Sequence, residues 1–354
     1  EITTRLVGSE MCIRDRNYII IGGTGFIGTH LTILIKQQYP DAQVYNLDIV
    51  KPGTPLLTVK NYVSPLKEEQ VLQSVFVECD VRKSIEHLTF TPTSEDVIFN
   101  FAAVHRTPGH PDQAYFETNI RGAENVCAFA EKFGIKKIVF TSSIAPYGAA
   151  EDLKTEDTLP TPNTPYGISK LVAEKIHTIW QAKRSNERQL TIVRPGVVFG
   201  KGENGNFTRL YWGIRGGKFF YPGRKDTIKA CIYVKELVRF MLYRLENHSE
   251  GVELYNCTFE PAFTIEQIVE TMKKATGLQR TIVKVPGSLL MTVASIVGPL
   301  GGKALGICPA RVKKLMISTN ICGRKLADSG YKFHYTFEEA IKDWYRDNDG
   351  QCLR

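Results

Sequence analysis

The 354-residue chain lacks the usual marks of a disulfide-stabilised or zinc-binding protein. Its eight cysteines include no C-x-x-C pair, and no histidine and cysteine spacing matches a zinc site. Disulfides are typical of secreted proteins, whereas unpaired cysteines are typical of reducing compartments. The sequence therefore predicts a cytoplasmic protein with no structural disulfide and no metal site.

A dominant charge is also missing. The chain has 45 Lys and Arg against 37 Asp and Glu, giving a formal charge of +8, and the two signs are interspersed. This balance argues against a nucleic-acid partner and favours anionic small molecules. Because 43% of the residues are hydrophobic, the chain can bury a sizeable core, in one large domain or two closely joined ones.

No apolar run is long enough and uninterrupted enough to predict an integral membrane span. The nearest candidate, residues 288–307, is broken in its middle by Gly298-Pro299 and Gly301-Gly302. We expect a helix of about ten residues there, packed on the protein or at most lying on a membrane surface. Neither an internal repeat nor a low-complexity tract is visible.

The first 16 residues lack the apolar region of a signal peptide and carry no fold signal. Residues 6–16, LVGSEMCIRDR, resemble the in-frame translation of a sequencing-library adapter. An ordinary disordered extension is the alternative. We therefore treat residues 1–16 as a non-native or disordered leader and begin the fold at Asn17.

The strongest pattern is NYIIIGGTGFIG, residues 17–28, in which a buried strand runs into three glycines. Gly22 would turn the chain off the strand, Gly25 would admit a pyrophosphate, and Gly28 would let a helix pack on the sheet. A second strand ends at Asp48, about 20 residues later, where a ribose-binding acid is expected. The predicted cofactor contacts of this region are Gly22, Gly25, Phe26, Ile27, Gly28 and Asp48.

Further strands alternate with long helices, which predicts a Rossmann-type, doubly wound parallel sheet of the α/β class. We predict strands at 75–79, 97–101, 137–141 and 190–194, and helices at 112–133 and 166–182. After Pro195 the chain becomes loop-rich and basic. The predicted domains are a dinucleotide-binding domain over 17–195 and a smaller α/β substrate-binding region over 196–350, with returns to the first domain possible.

Two of these strands end in further candidate contacts. Asp80-Val81 follows the third strand, where the Asp would accept from an adenine amino group or cap a helix over 82–87. Ala102-Ala103 follow the fourth strand and are small enough for a cofactor to lie against the backbone.

Tyr166 and Lys170 are four residues apart at a helix start, so their side chains share one face. A lysine together with an oxidised nicotinamide would lower the tyrosine pKa from about 10 to about 7, about 4 kcal/mol of stabilisation of the phenolate. Tyr166 would then serve as a general base or acid near neutral pH. Ser142-Ser143 follow the fifth strand, at the edge where an open α/β sheet binds ligands, and Ser143 would hold the reacting oxygen. Capping of a turn is the structural alternative for this pair.

From Asn17 to about Asp347 the chain resembles the extended short-chain dehydrogenase/reductase family, especially its nucleotide-sugar epimerase and dehydratase branch. The matching residues are Gly22-Gly-Thr-Gly-Phe-Ile-Gly28, Asp48, Asp80-Val81, Phe101-Ala-Ala103, Asn119, Ser142-Ser143, Tyr147-Gly148, Tyr166, Lys170 and Arg194-Pro-Gly-Val-Val-Phe-Gly200. The resemblance implies that Ser143, Tyr166 and Lys170 are catalytic, that Asn119 supports them, and that Pro195 and Val197 border the nicotinamide of NAD.

Departures from the family pattern distinguish between the possible reactions of the family. Similar 4,6-dehydratases carry an Asp-Glu pair after the serines, but this chain has Ile144 and Ala145, which disfavours dehydration. Pro146 also departs from the usual epimerase valine. We place Ser142, His105 and Arg106 as substrate contacts, the last two secondary and nearly as well explained as a solvated pair.

A diphosphate substrate would suit the basic segment 201–235, which holds eight Lys and Arg against two acids. Asn206, Arg224 and Lys229 are its predicted substrate contacts. Lys229 stands where epimerases usually place an arginine, and lysine lacks the bidentate fork. A solvated basic face is the alternative.

These observations predict an NAD-dependent epimerase of a nucleotide-diphosphate sugar, acting at C4 through transient oxidation to a keto sugar, in a homodimer. The alternatives are a net dehydrogenase of the same family, acting on a keto sugar, a sterol-like alcohol or a hydroxy amino acid, and a non-catalytic binding protein.

Overall fold

The computed structural model describes residues 16–52, 73–105, 109–148, 150–249, 251–297 and 316–354. Its strands are β1 (Tyr18–Ile21), β2 (Val44–Asp48), β3 (Val75–Glu78), β4 (Val97–Asn100), β5 (Lys137–Thr141), β6 (Ala150–Lys154), β7 (Gln189–Pro195), β8 (Val197–Phe199), β9 (Tyr221–Pro222), β10 (Ile228–Lys229), β11 (Cys231–Tyr233), β12 (Val252–Cys257), β13 (Phe263–Thr264), β14 (Lys284–Val285) and β15 (Thr319–Ile321).

The α-helices are α1 (Phe26–Gln38), α2 (Asp112–Tyr115), α3 (Arg121–Phe133), α4 (Pro165–Ala182), α5 (Asn206–Arg215), α6 (Val234–Glu246), α7 (Ile265–Thr276), α8 (Gly287–Val297), α9 (Arg324–Ala327) and α10 (Phe337–Arg346). A π-helical turn, Phe116–Ile120, joins α2 to α3, and a 3-10 turn, Ala145–Tyr147, follows β5. None of the helices in the described ranges is both long enough and apolar enough to span a membrane.

The chain folds into two compact units. Unit 1 comprises residues 1–148, 160–194 and 234–255, and unit 2 comprises residues 149–159, 195–233 and 256–354. One passage of the chain from unit 1 to unit 2 lies near residue 195. In addition, residues 149–159 belong to unit 2 and residues 234–255 return to unit 1.

Unit 1 is built on a seven-stranded sheet of order β12-β7-β5-β4-β1-β2-β3. The pairs from β7 through β5, β4, β1 and β2 to β3 are parallel, which confirms the predicted Rossmann-type sheet. Strand order reverses direction between β1 and β4. In open α/β sheets ligands bind at such a switch point, outside the carboxyl ends of the strands.

Strand residues of unit 1 alternate between two helical layers, because successive side chains of a strand point to opposite faces. Ile19 and Ile21 belong to one core with Val126 and Ala130 of α3 and Ala173 of α4. Helices α1 and α6 pack together elsewhere in the unit. Arg16, which sequence assigned to the leader, is buried beside Tyr18 and pairs with Glu246 of α6.

Unit 2 contains a four-stranded sheet of order β13-β10-β15-β6 and two short parallel ladders, β8 with β11 and β9 with β14. Residues 228–233 form two separate strands, β10 and β11, because the two halves pair with different partners. An aromatic core surrounds the fully buried Phe199, whose ring neighbours are Phe207, Tyr233, Phe259, Phe337 and Trp344.

Two further predictions of local structure need correction. The helix considered over 82–87 is a turn, in which the Lys83 amide donates to the Asp80 carbonyl at 2.9 Å. The long helix predicted over 112–133 contains the π-helical turn, where one extra residue enters the backbone spiral and presents Asn119 inward. For the predicted segment 288–307, α8 covers its first part, and the rest lies outside the described residues.

Candidate active site

The glycine turn after β1 meets the end of β4 at the switch point of the sheet. Gly22 has a φ of +77°, which favours glycine, and a Cβ at this position would lie 2.7 Å from the Ala102 amide nitrogen. A Cβ on Gly28 would lie 2.7 Å from the Gly22 carbonyl oxygen. Both glycines are therefore required for the backbone to fold this tightly. Ala102 and Ala103, predicted as cofactor contacts, are half-buried beside this turn.

Gly25 precedes the first residue of α1 and has extended backbone angles, with no side chain capping the helix. The following residues, Phe26, Ile27 and Gly28, form the first turn of α1, whose amides carry the positive end of the helix dipole. Such a turn is suited to a pyrophosphate. The described residues thus fit the phosphate part of a dinucleotide at the place that the sequence predicts.

Asp48 ends β2, the strand beside β1, and its two carboxylate oxygens accept from the backbone amides of Thr24 at 3.1 Å and Val50 at 3.2 Å. A carboxylate offers about four lone-pair sites, so acceptor capacity remains for the hydroxyls of a ribose. Burial raises the pKa of this carboxyl, and the bonds from Thr24 and Val50 partly oppose that rise. The Thr24 bond fixes the carboxylate against the glycine turn.

Asp80 and Val81 do not present free side chains. The Asp80 carboxylate forms a bidentate pair with Arg82, at 2.6 to 3.0 Å, and bonds the Arg82 amide at 3.0 Å. Hydrogen bonds from Arg82 lower the pKa of this carboxyl. Val81 is buried in the core and packs on Gly122. Contact of either residue with an adenine stays a prediction.

The start of α4 fixes the position of Tyr166. Thr164 caps the helix by accepting from the Gly167 amide at 3.1 Å, and Pro165 supplies the first turn with a preset backbone angle. A Cβ on Gly167 would lie 2.6 Å from the Ala145 carbonyl oxygen, so only glycine lets α4 approach the 3-10 turn after β5 this closely. This approach brings Tyr166 to Ser143.

Tyr166 is hydrogen-bonded to Ser143, and the Ser143 hydroxyl oxygen also accepts from the Ala145 amide at 3.1 Å. Burial raises the pKa of Tyr166 to about 12, the bond to Ser143 lowers it, and the nearby Tyr115 raises it. The ring centroids of Tyr115 and Tyr166 are 6.3 Å apart. The protein groups alone therefore keep the phenol neutral, and the predicted lowering, which also requires an oxidised nicotinamide, stays a prediction.

Lys170 lies one turn beyond Tyr166 on α4. Its side chain is buried, its ammonium nitrogen donates to the Thr141 carbonyl at 2.7 Å, and it lies 4.8 Å from the centre of the Phe140 ring. Burial lowers the pKa of Lys170 to about 7, although the charge of Glu174 opposes this shift. Loss of the lysine charge on burial would reduce the positive charge available to stabilise a Tyr166 phenolate.

Glu174 is a member of this cluster that the sequence did not indicate. It is buried one turn beyond Lys170, its carboxylate accepts from Nε and Nη2 of Arg194 at 2.8 and 2.6 Å, and it also accepts from the Ser142 hydroxyl. The Ser142 hydroxyl, which was predicted to contact substrate, therefore donates its hydrogen to Glu174. Only the i,i+4 spacing of residues 166, 170 and 174 was available as a signal.

Asn119 joins the loop after β4 to helix α4. Its side-chain oxygen accepts from the Val104 amide at 2.8 Å, while its amide group donates to the Val104 carbonyl at 3.1 Å and to the Ser169 hydroxyl at 2.8 Å. The residue is buried and sits in the π-helical turn, a feature common at functional sites. These bonds give Asn119 the supporting position that the family resemblance implies.

The predicted substrate contacts of unit 2 already have protein partners. Arg224 pairs with Asp226 at 2.8 Å and Glu151 at 3.1 Å, and Lys229 donates to the Ile317 carbonyl at 2.7 Å. Exposed Asn206 begins α5 and accepts from Arg209 at 3.1 Å. To bind a diphosphate, Arg224 and Lys229 would have to exchange these partners.

The remaining predicted contacts are placed as follows. Pro195 ends β7, and Val197 begins β8 in unit 2. His105 is exposed, and Arg106 lies outside the described residues. In the described ranges no three His, Cys, Asp or Glu side chains form a group able to hold a metal ion.

Comparison with known proteins identifies the family. The sequence matches the model of the NAD dependent epimerase/dehydratase family over residues 18–258. The chain belongs to this family. Among its relatives is the N-acetyl-alpha-D-glucosaminyl-diphospho-ditrans,octacis-undecaprenol 4-epimerase of Escherichia coli O157:H7, which is 30% identical over 328 residues, 92% of this chain and 93% of the relative. The UDP-glucose 4-epimerase of Bacillus subtilis strain 168 is 25% identical over 295 residues, 73% of this chain and 82% of the relative.

Solved structures of the epimerase/dehydratase family share the fold. The UDP-glucose 4-epimerase of Thermotoga maritima, solved with UDP-glucose, aligns with a TM-score of 0.70 at 20% identity, over 94% of this chain and 99% of that one. Membership confirms the predicted extended short-chain dehydrogenase/reductase fold, the enzymatic nature of the protein and NAD as its cofactor.

Proposed function

We propose that this enzyme is an NAD-dependent epimerase that inverts C4 of a sugar carried on a diphosphate. The observation that carries the proposal is the Tyr166–Ser143 hydrogen bond, at the carboxyl edge of the sheet, on a helix that also bears Lys170. Both named relatives above are 4-epimerases of diphosphate-linked sugars, which supports the same reaction here.

NAD fits the residues around the glycine turn. Gly22, Gly25 and the first turn of α1 would hold its pyrophosphate, and Asp48 would accept the hydroxyls of its adenosine ribose. When bound, NAD would supply a reversible hydride acceptor for the sugar carbon, so that inversion would involve no net oxidation.

The protein side chains move the proton and hold the oxygen. With the positive charge of an oxidised nicotinamide nearby, Tyr166 would be deprotonated, and its phenolate would remove the hydroxyl proton of the sugar and later return it from the phenol oxygen. Because the Ser143 hydroxyl oxygen accepts from the Ala145 amide, its hydrogen is left for Tyr166 or the sugar oxygen. Lys170, held by the Thr141 carbonyl, sets the local charge and would contact the nicotinamide ribose.

Elimination of water is not expected. The two residues after Ser143 are Ile144 and Ala145, neither of which can transfer a proton. The cluster of Ser143, Tyr166 and Lys170 supports reversible oxidation of an alcohol and offers no second acid and base pair at this position. The prediction of an epimerase over a dehydratase rests on this difference.

Two carriers of the sugar are to be compared. A nucleotide diphosphate is the class predicted from sequence, and it agrees with the relatives that act on UDP-glucose. A polyprenyl diphosphate is the second candidate, because the Escherichia coli relative named for such a substrate matches nearly the whole chain at 30% identity. Both carriers share the diphosphate that Arg224 and Lys229 are proposed to bind.

The decisive assay offers the purified protein UDP-glucose, UDP-N-acetylglucosamine and N-acetylglucosaminyl-diphospho-polyprenol in separate reactions. We expect inversion at C4 of at least one, retention of deuterium placed on the inverted carbon, and no accumulation of reduced NAD in solution. Stoichiometric reduced NAD, or label in free cofactor, would instead identify a net dehydrogenase.

Variants test the proposed proton transfer. Tyr166→Phe should keep the fold and bound cofactor but lose about 10²- to 10⁴-fold in turnover, the usual contribution of a positioned acid or base. Tyr115→Phe is the matched control, since Tyr115 is also buried and its ring is adjacent. Equal losses in both variants would speak for a packing role of Tyr166.

A homodimer in the cytoplasm is also proposed. All six cysteines in the described ranges are free, which agrees with a reducing compartment. Light scattering at several protein concentrations would test the dimer, and fractionation of cells that express the native gene would test the location.

A further inference from the structure

Unit 2 carries an apolar surface cluster, defined by the exposed side chains of Trp212, Phe220, Val283 and Leu289. Their exposed fractions are 45%, 37%, 62% and 54%. Single exposed apolar side chains are ordinary on a protein surface and need no explanation. Four of them from neighbouring segments are unusual, and such clusters mark interaction surfaces.

Backbone contacts bring these four residues together. In the ladder of β9 and β14 Tyr221 is in register with Lys284, so Phe220 and Val283 are neighbours one step before it, and the Tyr221 amide donates to the Val283 carbonyl at 2.9 Å. A Cβ on Gly223 would lie 3.6 Å from the Gly287 Cα atom. Helix α8, with Leu289 in its first turn, therefore begins beside the end of β9.

Trp212 reaches the same region through the end of α5. The amides of Lys218 and Phe219 both donate to the Gly213 carbonyl, at 2.8 and 3.0 Å, which folds the chain leading to β9 back on α5. Arg280, four residues before β14, donates to the Arg215 carbonyl at 3.4 Å. The segments 212–220 and 280–289 are thus tied together on both sides of the apolar surface cluster.

Positive charge predominates in the segments that carry the cluster, although Asp226 lies near Lys284, and Glu266 and Glu270 lie near Tyr221. Residues 206–225 and 277–297 contain seven Lys and Arg and no Asp or Glu. Two of the seven pair with carboxylates: Arg224 with the adjacent Asp226 and with Glu151, and Lys225 with Glu266. The other five form no ion pair with any carboxylate in the described ranges, and they are Arg209, Arg215, Lys218, Arg280 and Lys284.

We propose that the apolar surface cluster and these five cations dock unit 2 reversibly on an anionic lipid bilayer. Aromatic side chains such as those of Trp212 and Phe220 favour the boundary between headgroups and acyl chains, and aliphatic side chains insert below it. Arg and Lys keep their charge in the headgroup layer while their stems cover apolar surface. A nucleic acid would satisfy the cations but leave Val283 and Leu289 in water.

The docking proposal does not rest on the proposed reaction, because it concerns a surface and not the residues of the active site. It does bear on the choice between sugar carriers. A polyprenyl diphosphate is confined to a membrane surface, so an enzyme docked there would meet it directly, whereas a nucleotide sugar requires no such surface.

Vesicle flotation with the full-length protein, without any sugar substrate, tests the proposal. We expect binding to vesicles of phosphatidylglycerol mixed with phosphatidylcholine, loss of most binding in about 0.5 M salt because screening weakens surface charge interactions, and little binding to phosphatidylcholine alone. No binding to anionic vesicles, or equal binding to both kinds, would overturn the proposal.

Paired variants locate the surface. Lys218→Gln with Lys284→Gln should weaken partitioning about 25-fold, because each cation near an anionic surface contributes about fivefold. Val283→Asp with Leu289→Asp should abolish it. The matched control is Leu159→Asp with Ile179→Asp, two residues that are 80% and 59% exposed elsewhere and should change nothing.

Two further measurements separate membrane docking from a folding defect and from nucleic-acid binding. Epimerisation of a water-soluble substrate and thermal unfolding should stay unchanged in all three paired variants, so a folding defect would be visible. Binding of the wild type to duplex DNA that is lost in the lysine pair but kept in the Val283 and Leu289 pair would identify a nucleic-acid surface and refute the membrane assignment. Vesicle binding that survives both surface pairs would refute it as well.

Discussion

Replacing Lys170 with methionine should stabilise the protein near neutral pH while abolishing its activity. Lys170 is 2% exposed, and burial lowers its pKa from 10.5 to about 7. That difference corresponds to about 5 kcal/mol, at about 1.36 kcal/mol per pKa unit. Below pH 7 the native state must therefore hold a buried ammonium that the unfolded chain keeps in water.

The pH dependence follows from proton binding. Between pH 7 and 10.5 the unfolded state holds a proton on Lys170 that the native state lacks, so stability rises with pH across this window. Lys170→Met removes the titration. The substitution should therefore remove a destabilisation of the native state of about 5 kcal/mol below pH 7, about 3 kcal/mol at pH 8 and close to zero above pH 10.5.

Lost contacts reduce this gain. Removing the ammonium leaves the Thr141 carbonyl without its 2.7 Å bond, which costs about 1–3 kcal/mol, while the methionine sulfur keeps a favourable contact with the Phe140 ring. We therefore expect Lys170→Met to be more stable than the wild type by about 2–4 kcal/mol at pH 6 and less stable above about pH 9.

Denaturant unfolding at pH 6, 8 and 10 measures this difference, with nicotinamide content matched, since a bound cofactor stabilises the native state. Lys175→Met is the control, because Lys175 is exposed on the same helix and stays in water on folding. A Lys170→Met protein that is less stable at pH 6, or whose difference from the wild type does not change with pH, would refute the reasoning.

Three other predictions follow from single contacts. Asp48→Ala should weaken NAD binding about 10- to 100-fold and abolish the preference over NADP, measured by calorimetric titration of both; an unchanged preference would remove Asp48 from the ribose. Glu174→Gln should lower the free energy of unfolding by about 3–5 kcal/mol, because it leaves Arg194 buried and unpaired. The double variant Glu174→Leu with Arg194→Met should recover most of that stability, and a loss below about 1 kcal/mol in denaturant unfolding of the single variant would contradict the pairing. Arg224→Gln should raise KM for the sugar diphosphate and leave NAD affinity unchanged, with Arg209→Gln as the control; equal KM values would favour a structural role for the pairs with Glu151 and Asp226.

The parts of the fold that the sequence predicted are those set by local pattern. β5 has the predicted bounds, and β1 runs into the glycine turn at the switch point, because buried strands and turn glycines leave signals within a few residues. The exchange of residues 149–159 and 234–255 between the units left no such signal, since it depends on which distant strands pair. The π-helical turn was also invisible, because its cause is the bonding of Asn119 to Val104 and Ser169.

The protonation states of Tyr166 and Lys170 cannot be predicted from the local sequence pattern alone. The spacing of Tyr166 and Lys170 correctly brings both residues into one buried cluster, but it predicts a lowered tyrosine pKa only if the lysine keeps its charge. Burial is the largest cause for both groups, and it raises the pKa of Tyr166 while lowering that of Lys170.

Glu174 connects these two findings, because it is the charged neighbour that opposes the loss of charge on Lys170. The same carboxylate accepts hydrogen bonds from Arg194 and Ser142, and these bonds partly compensate its negative charge at Lys170. The three residues of α4 therefore act in order along one helix face: Glu174 is held by the core, Lys170 is poised near neutrality, and Tyr166 meets Ser143. The sequence alone points to Tyr166 in the first turn of this helix as the acid or base. The charge of Lys170 depends on burial and on Glu174, which only the packing of the helix shows.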